Sequence, residues 1–281
     1  MRKIVCLLCM LVATPALCTE TVASMQERAE ASMLVTGLID IAPDGTLSSI
    51  AIDHRQELPA EVASLIDRAS AKWRFPADPS GDADTRHVAM TLRIVARTEP
   101  DGAYRSRIRG ATFGDRKLDG QIRYKSRVSP RYSLFAYQNR ISGDVYLLMR
   151  VDASGKVTDV AAEQVNLDTV TEASMQAQIR RIFAETCVNV AKYWTFDVTG
   201  AGNLADGAWL VRVPVHFGMV QDRATQNYGK WLVYVPGPHE PVRWLGKYNY
   251  PQPASNTDAL PGGSLQPVQN QLAVIGPLDG D

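Results

Sequence analysis

The stretch AKWRFPAD at residues 71–78 has an echo in AKYWTFDV at 191–198. Trp73 and Phe75 fall on Trp194 and Phe196 at an offset of 121 residues. In the same register Met90, Leu92 and Ile94 of HVAMTLRIVA meet Val211, Val213 and Val215 of AWLVRVPVHF. Both runs alternate as strands with one buried face do. Upstream, MLVTGLIDIAPDGTLSSIAI (33–52) lies on GDVYLLMRVDASGKVTDVAA (143–162), with Asp44-Gly45 on Ser154-Gly155 at an offset of 110. Each reads as two strands around a tight turn whose glycine tolerates positive φ. The two offsets differ by 11 residues, so the second copy carries an insertion between Ala162 and Trp194. A unit of hairpin, helix and strand used twice constrains the fold more than any single motif.

The helix of the first copy opens at Pro59, where a first turn accepts proline, and places Val62, Leu65, Ile66, Ala69 and Trp73 on one stripe. Ile179, Phe183, Cys187, Val190 and Trp194 make the matching stripe. A fourth strand is expected in each copy: Tyr104 to Arg109 after the turn Glu99-Pro100-Asp101-Gly102, and KWLVYVP after VPVHFGMV. From Pro236 onward proline and glycine recur too often for regular structure, which predicts an extended or disordered tail. The expected fold class is α+β, in two tandem small modules: residues 19–115 and 116–235, followed by the tail 236–281.

Residues 1–18 read as a cleavable signal peptide: Arg2 and Lys3, an apolar run from Ile4 to Val12, then Ala16-Leu17-Cys18 before polar Thr19-Glu20. The expectation is export of a soluble protein to the periplasm; lipidation of Cys18 is the competing reading. Cleavage there leaves Cys187 as the one cysteine, too few for an internal disulfide. Losing Arg2 and Lys3 leaves 28 basic residues against 30 acidic ones, so no global field draws the chain to nucleic acid or anionic lipid.

Tyr132, Ala136, Gly143, Gly155, Trp194, Phe196, Pro214 and Phe217 form an ordered series that resembles the C-terminal domain of TonB-like proteins. The first copy, with WRFPAD around Trp73 and Phe75, resembles it more weakly. Tyr132-Ser133 stands where the family has Tyr-Pro, and Thr195 and Asp197 replace its arginine and proline-linked ending. The resemblance does not extend to a membrane anchor or a long proline-rich spacer, and about 15 residues reach at most about 50 Å, so force transmission is not expected. What the resemblance implies is recognition of extended segments of Gram-negative envelope proteins by strand addition to a free sheet edge. The candidate edge residues are Leu92 and Val95 in one copy and Val211, Val213 and His216 in the other.

The chemistry-bearing residues point away from catalysis. Trp73 and Trp194 sit where core plugs belong, and Cys187 shares an apolar stripe. His54, His87, His216 and His239 have no ligand spacing, and no phosphate loop or Gly-x-Ser-x-Gly occurs. No cofactor, metal or catalytic group is assigned. Between Arg97 and Arg131 ten Lys or Arg stand against four Asp or Glu. Arg105, Arg107 and Arg109 share one strand face there, which suits an anionic partner such as lipopolysaccharide or an acidic protein surface; a solvated face balanced by acids from elsewhere is the plainer reading.

The expectation drawn from all of this is a periplasmic, non-catalytic binding or scaffold protein. Its partner would be a protein, either a TonB-dependent outer-membrane receptor or another envelope component. An accessory role in TonB-dependent uptake, a structural tether of the envelope and a periplasmic enzyme with an unrecognised site are the alternatives.

Overall fold

The computed structural model describes residues 29–77, 84–98, 103–115, 121–200, 202–218, 228–250, 259–260, 263–268 and 272–279. The expected signal peptide, residues 1–18, and the turn expected at Glu99–Gly102 lie outside them. The chain is α+β, with antiparallel sheets and few helices.

Strands β1 (Glu30–Ile41) and β2 (Leu47–Ile52) form a hairpin. Helix α1 (Ala60–Ser70) follows, β3 (Arg86–Thr98) returns antiparallel to β1, and β4 (Tyr104–Asp115) antiparallel to β3. Next come β5 (Ile122–Ser126) and the short helix α2 (Leu134–Gln138). A second hairpin, β6 (Gly143–Val151) and β7 (Val157–Leu167), precedes helix α3 (Ala173–Ala191). Strand β8 (Thr195–Val198) pairs with β5, and β9 (Trp209–Phe217) pairs with β6. Short strands β10 (Leu232–Tyr234) and β11 (Gln266–Pro267) complete the set. One sheet runs β10-β1-β3-β4, with β2 beside β10 on the same side of β1; the other runs β11-β9-β6-β7.

Each large sheet packs one helix. In the first half Val62, Leu65, Ile66 and Ala69 of α1 meet Met33, Val35, Ile39, Met90, Leu92 and Ile94, with Trp73 and Phe75 set edge-on against Phe113. In the second, Ile179, Phe183, Cys187 and Ala191 of α3 meet Val145, Leu147, Met149, Val211, Val213 and Val215, and Phe183 stacks on Phe217 at 4.2 Å. Both tryptophans are buried, as core plugs are.

The hairpin turns touch the helix ends in the same way in both halves. Phe75 donates its N–H to the Gly45 carbonyl at 2.9 Å, and Phe196 donates to Gly155 at 2.7 Å. Thr46 bridges Arg74 as Lys156 bridges Thr195. These pairs reproduce the offsets of 110 and 121. The closing strands do not: Ile41 stands opposite Arg86 and Val151 opposite Trp209, so Met90, Leu92 and Ile94 correspond to Val213, Val215 and Phe217. A two-residue slip keeps every side chain on its own face, so alternation alone could not reveal it. The extra length of the second half lies in β7 and α3, which has 19 residues against 11 in α1.

Two expectations differ from the structure downstream of β9. KWLVYVP does not extend the second sheet: β10 pairs with β1, Ser32 opposite Leu232 and Glu30 opposite Tyr234. The next residue, Val235, exchanges both backbone hydrogen bonds with Leu167 of β7, at 2.8 and 3.1 Å, so the segment ties an edge of one sheet to an edge of the other. Alternation marks a strand, but the connection decides its partner. The Pro/Gly-rich stretch is also not a loose tail in its described parts. Val242, Leu245, Leu260 and Val268 are buried, and Leu272, Val274 and Leu278 pack on the first core. Proline and glycine remove repetitive hydrogen bonding, not the capacity to bury side chains.

Between the halves, buried Arg93 of β3 donates to Ser32 Oγ at 3.0 Å and to the Tyr146 hydroxyl of β6 at 3.2 Å, with its guanidinium 4.8 Å from the Tyr234 ring centre. In the second sheet Arg212 meets Glu163 through two bonds of 2.6 and 3.0 Å, both side chains buried. Two charge-assisted bonds of this kind oppose the desolvation cost of burying both ions.

Candidate functional site

Strand addition needs a sheet edge with backbone groups turned outward. The sequence placed that edge on β3 and β9, and in the structure neither of these strands offers an open edge over those residues. Leu92 and Val95 lie on β3, an interior strand flanked by β1 and β4, and both are buried. Val211, Val213 and His216 lie on β9, whose outer side is covered by the chain's own tail. Gln266 and Pro267 pair with Arg212 and Val211, while Val268 and Gly263 donate to the carbonyls of Leu210 and Pro214 at 2.8 and 3.3 Å. Pro214 has no N–H to offer there. His216 leans instead on Asp144 of β6, at 2.9 Å.

The remaining edges differ in length and cover. On β7, Leu167 is taken by Val235, the Glu163 carbonyl by the Glu240 N–H at 2.7 Å, and the Val165 carbonyl by Arg180 Nε at 3.0 Å. Strand β2 has six residues, and just past its end the Tyr228 hydroxyl donates to the Asp53 carbonyl at 2.5 Å. Strand β4 has 12 residues, and among the described residues no strand pairs with its outer side. One outward group is engaged by a side chain: the Ile108 N–H donates to Asp279 Oδ1 at 2.5 Å.

That same strand carries the arginines singled out in the sequence. Arg97 stands directly opposite Arg105, and Val95 opposite Arg107. The ladder shifts register opposite Arg93 and Ile94, so Arg109 is an extra residue on β4. Glu30 of β1 lies beneath them with its side chain 0% exposed, and its Oε1 takes both Arg97 and Arg109, the latter at 3.2 Å. One buried carboxylate thus stands against two arginines, with the exposed Arg105 and Arg107 beside them. The acid from elsewhere that the plainer reading called for is therefore present for Arg109, and it serves Arg97 as well. Tyr104, 79% exposed, stands at the start of the strand.

Other chemistry is placed as follows. The Cys187 thiol is buried, and burial pushes its pKa up to about 12, so it is not a nucleophile near neutral pH. Among the described residues no group of three or more His, Cys, Asp or Glu is placed to hold a metal. A cavity of about 330 Å³ lies between α3, β7 and Pro238–Glu240; Arg180 in its wall donates to the carbonyls of Val165, Val235 and Pro236 and braces the loop. No described helix is long and apolar enough to cross a membrane.

Trp73, Phe75, Gly143, Gly155, Trp194 and Phe196, the residues carrying the repeat and the resemblance, are all structural. Gly45 and Gly155, at φ +85° and +81°, hold the two hairpins against the helix ends. Glu30 and Asp279 were not singled out in the sequence, and Arg97 figured only as the start of the basic run. They reach the β4 site from β1, β3 and the C-terminal segment, and no local spacing links them. Comparison with protein-family models, with curated proteins and with solved structures finds no match.

Proposed function

We propose that this protein is a non-catalytic, exported binding protein of the cell envelope that docks an extended, acidic protein segment by strand addition along the outer edge of β4. The observation that carries the reading is the coincidence of two features on one strand: a long edge with which no described strand pairs, and the arginine face. The two halves are, in this reading, copies of one TonB C-terminal-like unit, and their shared turn-to-helix contacts support a common origin. The closing strand of the second copy is capped by the tail, so the docking role passes to the first. The short periplasmic segment of an outer-membrane receptor is one partner of the required kind.

A docked segment of eight residues gains about eight main-chain hydrogen bonds, at about 1 kcal/mol net each. That total would by itself correspond to about 1 μM; ordering an extended segment consumes much of it, so the main chain alone supports affinities of about 0.1–1 mM, with further affinity and specificity from the side chains opposite Arg105 and Arg107. The test is a titration of the whole protein with a fluorescein-labelled octapeptide alternating valine and glutamate, alongside its valine–lysine counterpart. The acidic peptide should bind and weaken with added salt. Arg105→Glu with Arg107→Glu should reduce its affinity by about tenfold or more, the equivalent of about 1.4 kcal/mol, with Tm unchanged. Equal binding of the two peptides would overturn the proposal.

A further inference from the structure

The two helix-end tryptophans make the same hydrogen bond to segments of very different origin. Trp194 Nε1 donates to the Val128 carbonyl at 2.8 Å, and Trp73 Nε1 donates to the Leu278 carbonyl at 2.9 Å. Just upstream of Val128, β5 runs antiparallel to β8, with Ser126 opposite Thr195. The counterpart of Thr195 in the first half is Arg74, and its carbonyl accepts the Ile275 N–H at 2.7 Å. In both cases the bracing segment meets the residue after the tryptophan first and the tryptophan itself two or three residues later. Leu272–Asp279 therefore takes, in the first half, the place that Ile122–Val128 takes in the second.

The difference lies in connectivity. Val128 leads into its own half through α2 and β6, whereas Leu278 is 205 residues from Trp73. Its segment is held by side chains suited to a ligand. Leu272, Val274 and Leu278 pack on the first core, Ile275 is exposed, and Asp279 accepts the Ile108 N–H on the edge of β4.

We infer that Leu272–Asp279 is a docked latch, and that the groove formed by the Trp73 indole N–H, the Arg74 carbonyl and the Ile108 N–H is an acceptor site for an apolar segment followed by a carboxylate. The chain fills this site in cis. A leading segment that the described residues of the first half do not provide is supplied by residues 272–279, and the site retains the recognition chemistry of a binding groove. The latch stands whether or not a foreign segment docks on β4; where one does, Asp279 is the group it must displace from Ile108.

The test is to place a specific protease site within residues 269–271 of the full chain, fold the protein and then cut it. The cut fragment should stay with the body through gel filtration at protein concentrations of tens of micromolar, and should exchange with a fluorescein-labelled synthetic peptide of residues 272–279, amidated at its C-terminus. Asp279→Asn in that peptide should weaken binding by about tenfold, as loss of a charge-assisted bond does. Immediate loss of the fragment with no binding of peptide up to about 1 mM, an affinity of only about 4 kcal/mol, would overturn the inference. Equal binding of the native, Asp279→Asn and Leu278→Ala peptides would also overturn it. In the uncut chain, Asp279→Ala should speed hydrogen exchange at the Ile108 amide while leaving the Trp194 half unchanged; an unaltered Ile108 rate would count against the latch.

Discussion

Gly155 fixes the contact between the second hairpin and the end of α3. A Cβ there would stand 1.8 Å from the Phe196 carbonyl oxygen, and φ is +81°. Both faults are backbone faults that side-chain rearrangement cannot relieve. The left-handed conformation alone costs a substituted residue about 1–2 kcal/mol. Gly155→Ala should therefore lower stability by about 2 kcal/mol or more, or by roughly 5 °C in Tm for a chain of this size. Gly246→Ala is the control: nothing lies within 4 Å of its added Cβ, and a shift within about 0.5 kcal/mol is expected. Differential scanning calorimetry of the two variants separates them. Both glycines of the repeat were legible as turn formers. What they press against was not, because the partner carbonyls of Phe75 and Phe196 lie far along the chain.

At the scale of elements, hydrophobic period and turn chemistry located the hairpins, α1, α3 and the closing strands. Neighbours were harder to read. KWLVYVP was legible as a strand and its partner β1 was not, since strand identity depends on local alternation and pairing on where loops lead. The two-residue slip of β3 against β9 was hidden by the strand period itself. Helix α3 offers a direct reporter of its own packing. With the Cys187 thiol buried and raised to about 12, an aromatic disulfide reagent at pH 8 should modify it only as α3 opens. The modification rate should then rise through the unfolding transition in urea and match the loss of helical circular dichroism. Rapid labelling of the native protein would contradict the burial of that face.

The whole molecule is held by segments that cross between its halves. Leu232–Val235 ties β1 to β7, Arg93 reaches Tyr146, and the C-terminal segment returns to Trp73 and β4. Alternation marked the first of these as a strand but not where it lands, and the C-terminal segment has no period of its own, which is why the Pro/Gly-rich end read as a tail. The same reasoning explains the candidate site. The arginines of β4 were visible as a charge run, whereas an edge with no described partner strand emerges only after the tail has covered β9 and β10 has turned to β1. Sequence located the charge, and topology located the edge. Strand addition at β4 is the central claim, and hydrogen exchange of the backbone amides of Tyr104–Asp115, with and without the alternating valine–glutamate peptide, tests it most directly. The account predicts slowed exchange at Ile108 and at the other outward-facing amides of β4, and no change along β7 or β9. Binding of the peptide with β4 exchange unaltered, or with protection on another strand, would contradict it.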